Sequence, residues 1–233
     1  MYQSFTPWFF IVTIASLVAQ STVKADLVID GINNFSAANT YPTSDPAYTG
    51  YAVADSTSFH FGFDGADVQN GGFSHFIVAY FGNGGLGSTT GLNFNTQQPS
   101  LPFSATHAFV YRADGFYTDG FQWNGASWVA GLSSNTVENG QFFEASLSMN
   151  DLGNPSSVEF VSYFVYEASG FESSYSVFPS TAFANGSYDP DILSSLTITA
   201  VPEPSSFLFF GATGVAIGCF RFLFKRGQFL SQA

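Results

Sequence analysis

Between Tyr111 and Trp128 the chain concentrates side chains suited to one kind of chemistry. Trp123 and Trp128 flank the dipeptide Asn124-Gly125, with Tyr111, Arg112 and Tyr117 just upstream. Exposed aromatic rings stack on the C–H faces of pyranose sugars, while a few polar groups, here Asn124 or Arg112, fix the ligand's orientation. The same pattern also suits plain packing, because residues on either side of a hairpin turn meet across strands. Arg112 likewise has two readings, a clamp for a ligand carboxylate or an ion-pair partner for Asp114.

Other reactive side chains form weaker constellations. His60, His75 and His107 fall on separate predicted strands, and none stands in an H-x-x-x-H or G-x-S-x-G context. Ser74, His107 and an aspartate would make a triad only if folding brought them together, since triads are defined by geometry. No catalytic residue is assigned, and the expectation is a non-enzymatic protein. Asp64, Asp67 and Asn70 share one tight turn, and Asp189 and Asp191 flank Pro190 in another. Such oxygen-rich turns suit Ca²⁺, but "DGADVQNG" lacks the alternating ligands of an EF-hand, and Asp and Asn are ordinary turn residues. Neither a metal site nor any other cofactor is therefore assigned.

The elements that position these side chains read as strands. "SFHFGFD" puts Phe59, Phe61 and Phe63 on one face, and "FSHFIVAYF" is more continuously apolar, as expected of a central strand. "LVIDGI", "ATHAFVYR", "FFEASLS", "SVEFVSYFVYEA" and "SSLTITA" continue the series between clusters of turn residues. A long Gly/Asn/Thr loop is expected over "FGNGGLGSTTGLNFNTQQPSLP", and Asn124-Gly125 is a hairpin signal. In "MNDLGNP", Asn150 or Asp151 is expected to cap a single helical turn ending at Gly153. The fold class expected is all-β, a single antiparallel β-sandwich.

Composition agrees with an exported body. The 233 residues include 29 Phe and 11 Tyr, enough to build a large core. The single cysteine, Cys219, lies in the terminal apolar run, so no disulfide braces the body. Between residues 26 and 200, sixteen acidic side chains face Arg112 alone, a balance that repels phosphate backbones and argues against nucleic-acid binding. Both ends differ from this body. "WFFIVTIASLVA" has signal-peptide length and is followed by Val23 and Ala25, placing cleavage before Asp26. "MYQSFTP" carries no Lys or Arg, so an uncleaved anchor or a mis-called start codon is the competing reading. At the other end, Phe207 to Phe224 as a helix would span about 27 Å, with Arg221, Lys225 and Arg226 on the cytoplasmic side. The expected organisation is a signal-peptide helix over 1–25, an extracellular β-sandwich over 26–200 and a sorting and anchor segment with a transmembrane helix over 201–227.

The tail carries a further signature. "VPEP", then Ser, an apolar segment and a basic cluster, resembles the PEP-CTERM sorting signal of exported bacterial proteins. That resemblance implies recognition of Pro202, Glu203 and Pro204 by an exosortase, a membrane-embedded processing enzyme, and release or transfer to the cell surface or extracellular matrix. The body, through "IDG", "DSTSFHFGFDGADV", "HAFVYRADGF", "QWNGASW" and "FEASLSMNDLGNPSSVEFVSYF", resembles family 9-type carbohydrate-binding modules and the C-terminal sandwich domain of glucodextranases. It implies a non-catalytic partner of exopolysaccharide, the alternatives being a purely structural matrix component or a secreted hydrolase.

Overall fold

The computed structural model describes residues 27–70, 74–94, 96–167 and 173–201; the leader, the Pro-Glu-Pro motif and the terminal apolar run lie outside them. The described residues form fourteen strands: β1 (Thr40–Pro42), β2 (Thr49–Ala54), β3 (Ser58–Asp64), β4 (His75–Gly82), β5 (Ser88–Thr90), β6 (Ser100–Ala105) and β7 (His107–Arg112), followed by β8 (Thr118–Trp123), β9 (Trp128–Ala130), β10 (Ser134–Asn139), β11 (Phe142–Ser148), β12 (Ser157–Tyr166), β13 (Ser173–Phe178) and β14 (Leu196–Thr199). The described helical structure is limited to a 3₁₀ turn at Ala37–Asn39 and a single turn, α1, at Asp67–Asn70. No helix among the described residues is long and apolar enough to cross a membrane.

The protein is all-β, with antiparallel pairing between its strands. One sheet has the order β1-β2-β3-β11-β10 and the other β13-β12-β4-β7-β8-β9. The ten-residue β12 shares one edge between two partners, β14 along Ser157–Phe160 and β13 from Ser162 onward. Period-two alternation sends Phe59, Phe61 and Phe63 of the first sheet against Phe81, Phe109, Phe160 and Phe164 of the second. These rings meet mostly edge-to-face or tilted, as in Phe61–Phe109 at 5.4 Å and Phe63–Phe164 at 4.9 Å. Such pairs add roughly 0.5–1.5 kcal/mol each beyond the area they bury, which is how a chain without a body disulfide is held together.

The second sheet is apolar on both faces, so its outer face needs cover too. Val78, Tyr80, Val110 and Tyr163 point outward into a second cluster, roofed by Leu101, Phe103 and Phe183. The segment expected as a plain loop after β4 supplies part of that roof, and it contains β5 and the first half of β6 as a small two-stranded sheet. Turn composition misled here, because tertiary burial rather than local propensity formed these strands. The strand expected across Ala105–Arg112 is split at Thr106, whose N–H donates to Phe81 O (2.8 Å) as the chain passes from roof to sheet. The polar β10, not anticipated, forms by pairing along β11.

Two local expectations need correction. In the turn after β11 the cap is Ser148, whose Oγ accepts the Asn150 N–H (3.2 Å), rather than Asn150 or Asp151. The turn does end at Gly153, which adopts φ +85 while Asn154 N donates to Met149 O (2.7 Å). The opening "LVIDGI" is not a strand. It lies across the outer face of the first sheet, its Asp30 and Gly31 N–H groups both donating to Glu144 Oε1. Farther along, Phe35 stacks on Tyr51 at 5.2 Å.

Glu144 is fully buried, and its second oxygen, Oε2, has no hydrogen-bond partner. Burial pushes its pKa up; the two backbone N–H bonds oppose that only in part, and Asp30 nearby adds to the rise. A carboxyl that holds its proton more tightly folded than unfolded gives most stability below the unfolded value, and that stability declines as pH rises through the folded pKa. Glu144→Gln keeps an acceptor for the two N–H groups and removes the charge. Thermal melts should therefore show the variant gaining on the wild-type chain as pH is raised from 4 to 7. A gap that stays constant over that range would contradict the assignment.

Candidate functional site

The Trp123–Trp128 hairpin projects from the end of the second sheet. Asn124 builds its turn: Oδ1 accepts the Ala126 and Ser127 N–H groups, both at 2.9 Å, and Asn124 N donates to Ser127 O (3.1 Å). Gly125 at φ +99 occupies backbone space that side chains disfavour. The turn makes Trp123 and Trp128 direct cross-strand partners, with ring centroids 5.6 Å apart in an edge-to-face arrangement. Both are half-buried.

Trp128 reaches back over the sheet, where its ring lies 6.1 Å from that of Tyr80 and its Nε1–H donates to Thr90 O (3.2 Å). Tyr80, itself fully buried, accepts the Leu92 N–H at its hydroxyl (3.1 Å) and so ties the roof segment down. Gly91 is needed in that segment, because a Cβ there would come within 2.5 Å of Pro99 and 2.8 Å of the Tyr80 hydroxyl. Between roof and hairpin lies an open groove of about 340 Å³, walled by Trp123 and Trp128 and lined by Thr90, Asn93, Gln98 and Ser127. None of the side chains lining it carries a formal charge. Two aromatic walls with amide and hydroxyl groups along the lining offer faces for stacking and groups for hydrogen bonding to a small neutral, polar ligand.

The sequence-derived residues thus separate. Trp123, Trp128 and Asn124 come together at this hairpin, although Asn124 Oδ1 serves the turn. Arg112 does not join them. It lies at the opposite end of β7, where its Nε donates to Asp114 Oδ1 (2.6 Å) and its guanidinium carbon sits 5.8 Å from the Phe116 ring. The reading of Arg112 as the groove's polar fix is therefore replaced by its pairing with Asp114. Thr90, Asn93 and Gln98 were missed because they belong to a Gly/Asn/Thr-rich stretch whose fold is set by what it covers; their only sequence signal was its polarity beside an aromatic hairpin.

The remaining candidates are engaged elsewhere. Ser74 precedes the start of β4, while His107 pairs with Phe81 near that strand's end, so the two share no site. His107 is buried, which lowers its pKa against the opposing influence of Asp151, and its Nδ1 lies 3.0 Å from Thr106 Oγ1. Asp67 Oδ2 accepts hydrogen bonds from the Tyr48 and Tyr175 hydroxyls (2.5 and 2.7 Å), and Asp189 Oδ1 accepts the Gln98 N–H (2.8 Å). Among the described residues no three His, Cys, Asp or Glu side chains group closely enough to hold an ion. A second cleft of about 580 Å³ lies between Asn83, Pro155, Glu159 and Thr197, but no aromatic ring lines it to serve as a platform.

No family model matches the chain, and no curated protein aligns with it.

Proposed function

We propose that this chain is an exported surface or matrix protein, sorted through its C-terminal tail, whose body binds polysaccharide in the Trp123–Trp128 groove without catalysing a reaction. The observation carrying the ligand reading is Trp128, half-buried and pinned by its indole N–H to Thr90 O as one wall of an uncharged groove. Sorting is supported by the tail sequence. Pro202, Glu203 and Pro204 precede an apolar run and a basic cluster, resembling the PEP-CTERM signal, with an exosortase as processing partner and the run from Phe207 to Phe224 as a transient transmembrane helix. Proline fixes its own φ and disfavours helix at the residue before it, which is a sequence-level reason for a membrane enzyme to single out Glu203. The leader before Asp26 supplies export.

Both halves are tested on one purified protein. Mass spectrometry after expression in an exosortase-positive host should show a product lacking Met1 and the basic end, and Glu203→Ala should block the second trimming. A glycan array followed by calorimetry should find at least one oligosaccharide bound in the micromolar to millimolar range, as expected for about 1 kcal/mol per stacked ring. Binding to no glycan would leave the body as a structural matrix component, and turnover of a bound glycan would make it a hydrolase.

A further inference from the structure

We infer that the groove reads polymer in cis: the glycan it engages belongs to the same surface to which the chain's own C-terminal end is attached. This rests on the glycan-binding and tail-sorting readings above, taking transfer to the surface rather than release, and adds their relative geometry. Strand register fixes the level of each part. Trp123 N donates to Thr106 O (2.8 Å), and Thr106 N to Phe81 O (2.8 Å), so the root of the hairpin is level with Phe81. Phe81 pairs with Phe160, and Phe160 with Leu196 on β14. Three residues beyond Leu196, about 10 Å along the strand, β14 ends at Thr199. There Val201 bridges to Asp55, its N–H donating to Ala54 O (3.3 Å). The turn Asn124–Ser127 projects past Phe81 in the same direction. Hairpin tip and chain exit therefore occupy one end of the protein, at opposite edges of the second sheet, about 24 Å apart across five strand spacings. The N-terminal strap is anchored elsewhere, at Glu144, four residues up β11 from its end at Ser148.

The tether is short. Six Cα steps separate Val201 from Phe207, at most about 22 Å, and any attachment made within Pro202–Pro204 is shorter still. A chain fixed there keeps its hairpin within reach of the surface, no farther than the tether and the roughly 24 Å between exit and hairpin together allow. Long polymers in solution are kept from the groove by the surface itself, whereas polymer lying on that surface meets it at high effective concentration.

The test uses the full chain reconstituted in lipid vesicles, against a version with twenty Gly/Ser residues inserted between Val201 and Pro202, a spacer of about 25 Å root-mean-square length. Three probes share the glycan chosen from the array: its hexasaccharide, its high-mass polymer in solution, and the same polymer grafted to the vesicle lipid. Both versions should bind hexasaccharide equally. The native chain should bind free polymer at least threefold more weakly per site than hexasaccharide, and the insertion should remove that deficit while reducing capture of grafted polymer. Equal binding of free polymer and hexasaccharide by the native chain, or indifference of both polymers to the insertion, would overturn the inference. Absence of hexasaccharide binding would instead overturn the glycan reading beneath it, and failure to associate with vesicles the attachment reading.

Discussion

Phe61→Ala should cost about 3–5 kcal/mol, a large part of the roughly 5–15 kcal/mol that separates folded from unfolded states in proteins of this kind. Phe61 is fully buried on β3, and its ring is in contact range of four others: Phe81, Phe109, Phe143 and Phe160, at 5.4 to 5.9 Å between centroids. These come from β4, β7, β11 and β12, so the one side chain spans both sheets. Neighbouring rings cannot collapse into the space it leaves, because each is held by its own strand register; the cavity therefore adds to the lost transfer free energy. Urea denaturation monitored by circular dichroism would give the number. Phe61→Leu, which keeps most of the volume, should lose much less. A Phe61→Ala loss below about 1 kcal/mol would mean that the aromatic cluster is not the centre of the core.

Trp128→Ala should weaken oligosaccharide binding about five- to tenfold, a change equivalent to about 1–1.4 kcal/mol. The substitution removes one aromatic wall of the groove and also frees Thr90 O, so the roof segment loses a tie. Trp128→Phe separates these effects, since it retains a ring beside Tyr80 but has no N–H for Thr90. It should keep a substantial part of the affinity if stacking dominates. Trp123→Ala, which removes the other wall without touching the Thr90 contact, should weaken binding as well. Melting temperatures measured beside each titration distinguish a lost platform from a lost fold. Full affinity in a folded Trp128→Ala protein would place the ligand somewhere other than this groove.

Which features were readable before folding follows from the range of the forces involved. Alternation in Phe59, Phe61 and Phe63 fixes their shared face, because successive strand side chains must point to opposite sides. Continuous apolarity in "FIVAYF" marks a strand covered on both faces, and β4 indeed lies inside its sheet with β12 and β7 on either side. Asn124-Gly125 specifies a turn through its own backbone preferences, which put Trp123 opposite Trp128. The leader and tail readings rest likewise on local composition and order, and both segments lie outside the described residues.

Tertiary structure alone decided the rest. The Gly/Asn/Thr stretch after β4 has no strong preference of its own; it came to line the groove beside the hairpin because the outer face of the second sheet had to be buried. "LVIDGI" reads as a strand but is held by a buried carboxylate 113 residues away from Gly31, a contact that no local pattern encodes. Arg112 and the tryptophans are near in sequence, yet one antiparallel strand places them at opposite ends. Sequence by itself determined the central core strands and the hairpin, since each depends on neighbours a few residues apart. The groove's lining and the fate of Arg112 depended on which distant surfaces needed cover, and which charges lay within reach, once the sheets had packed.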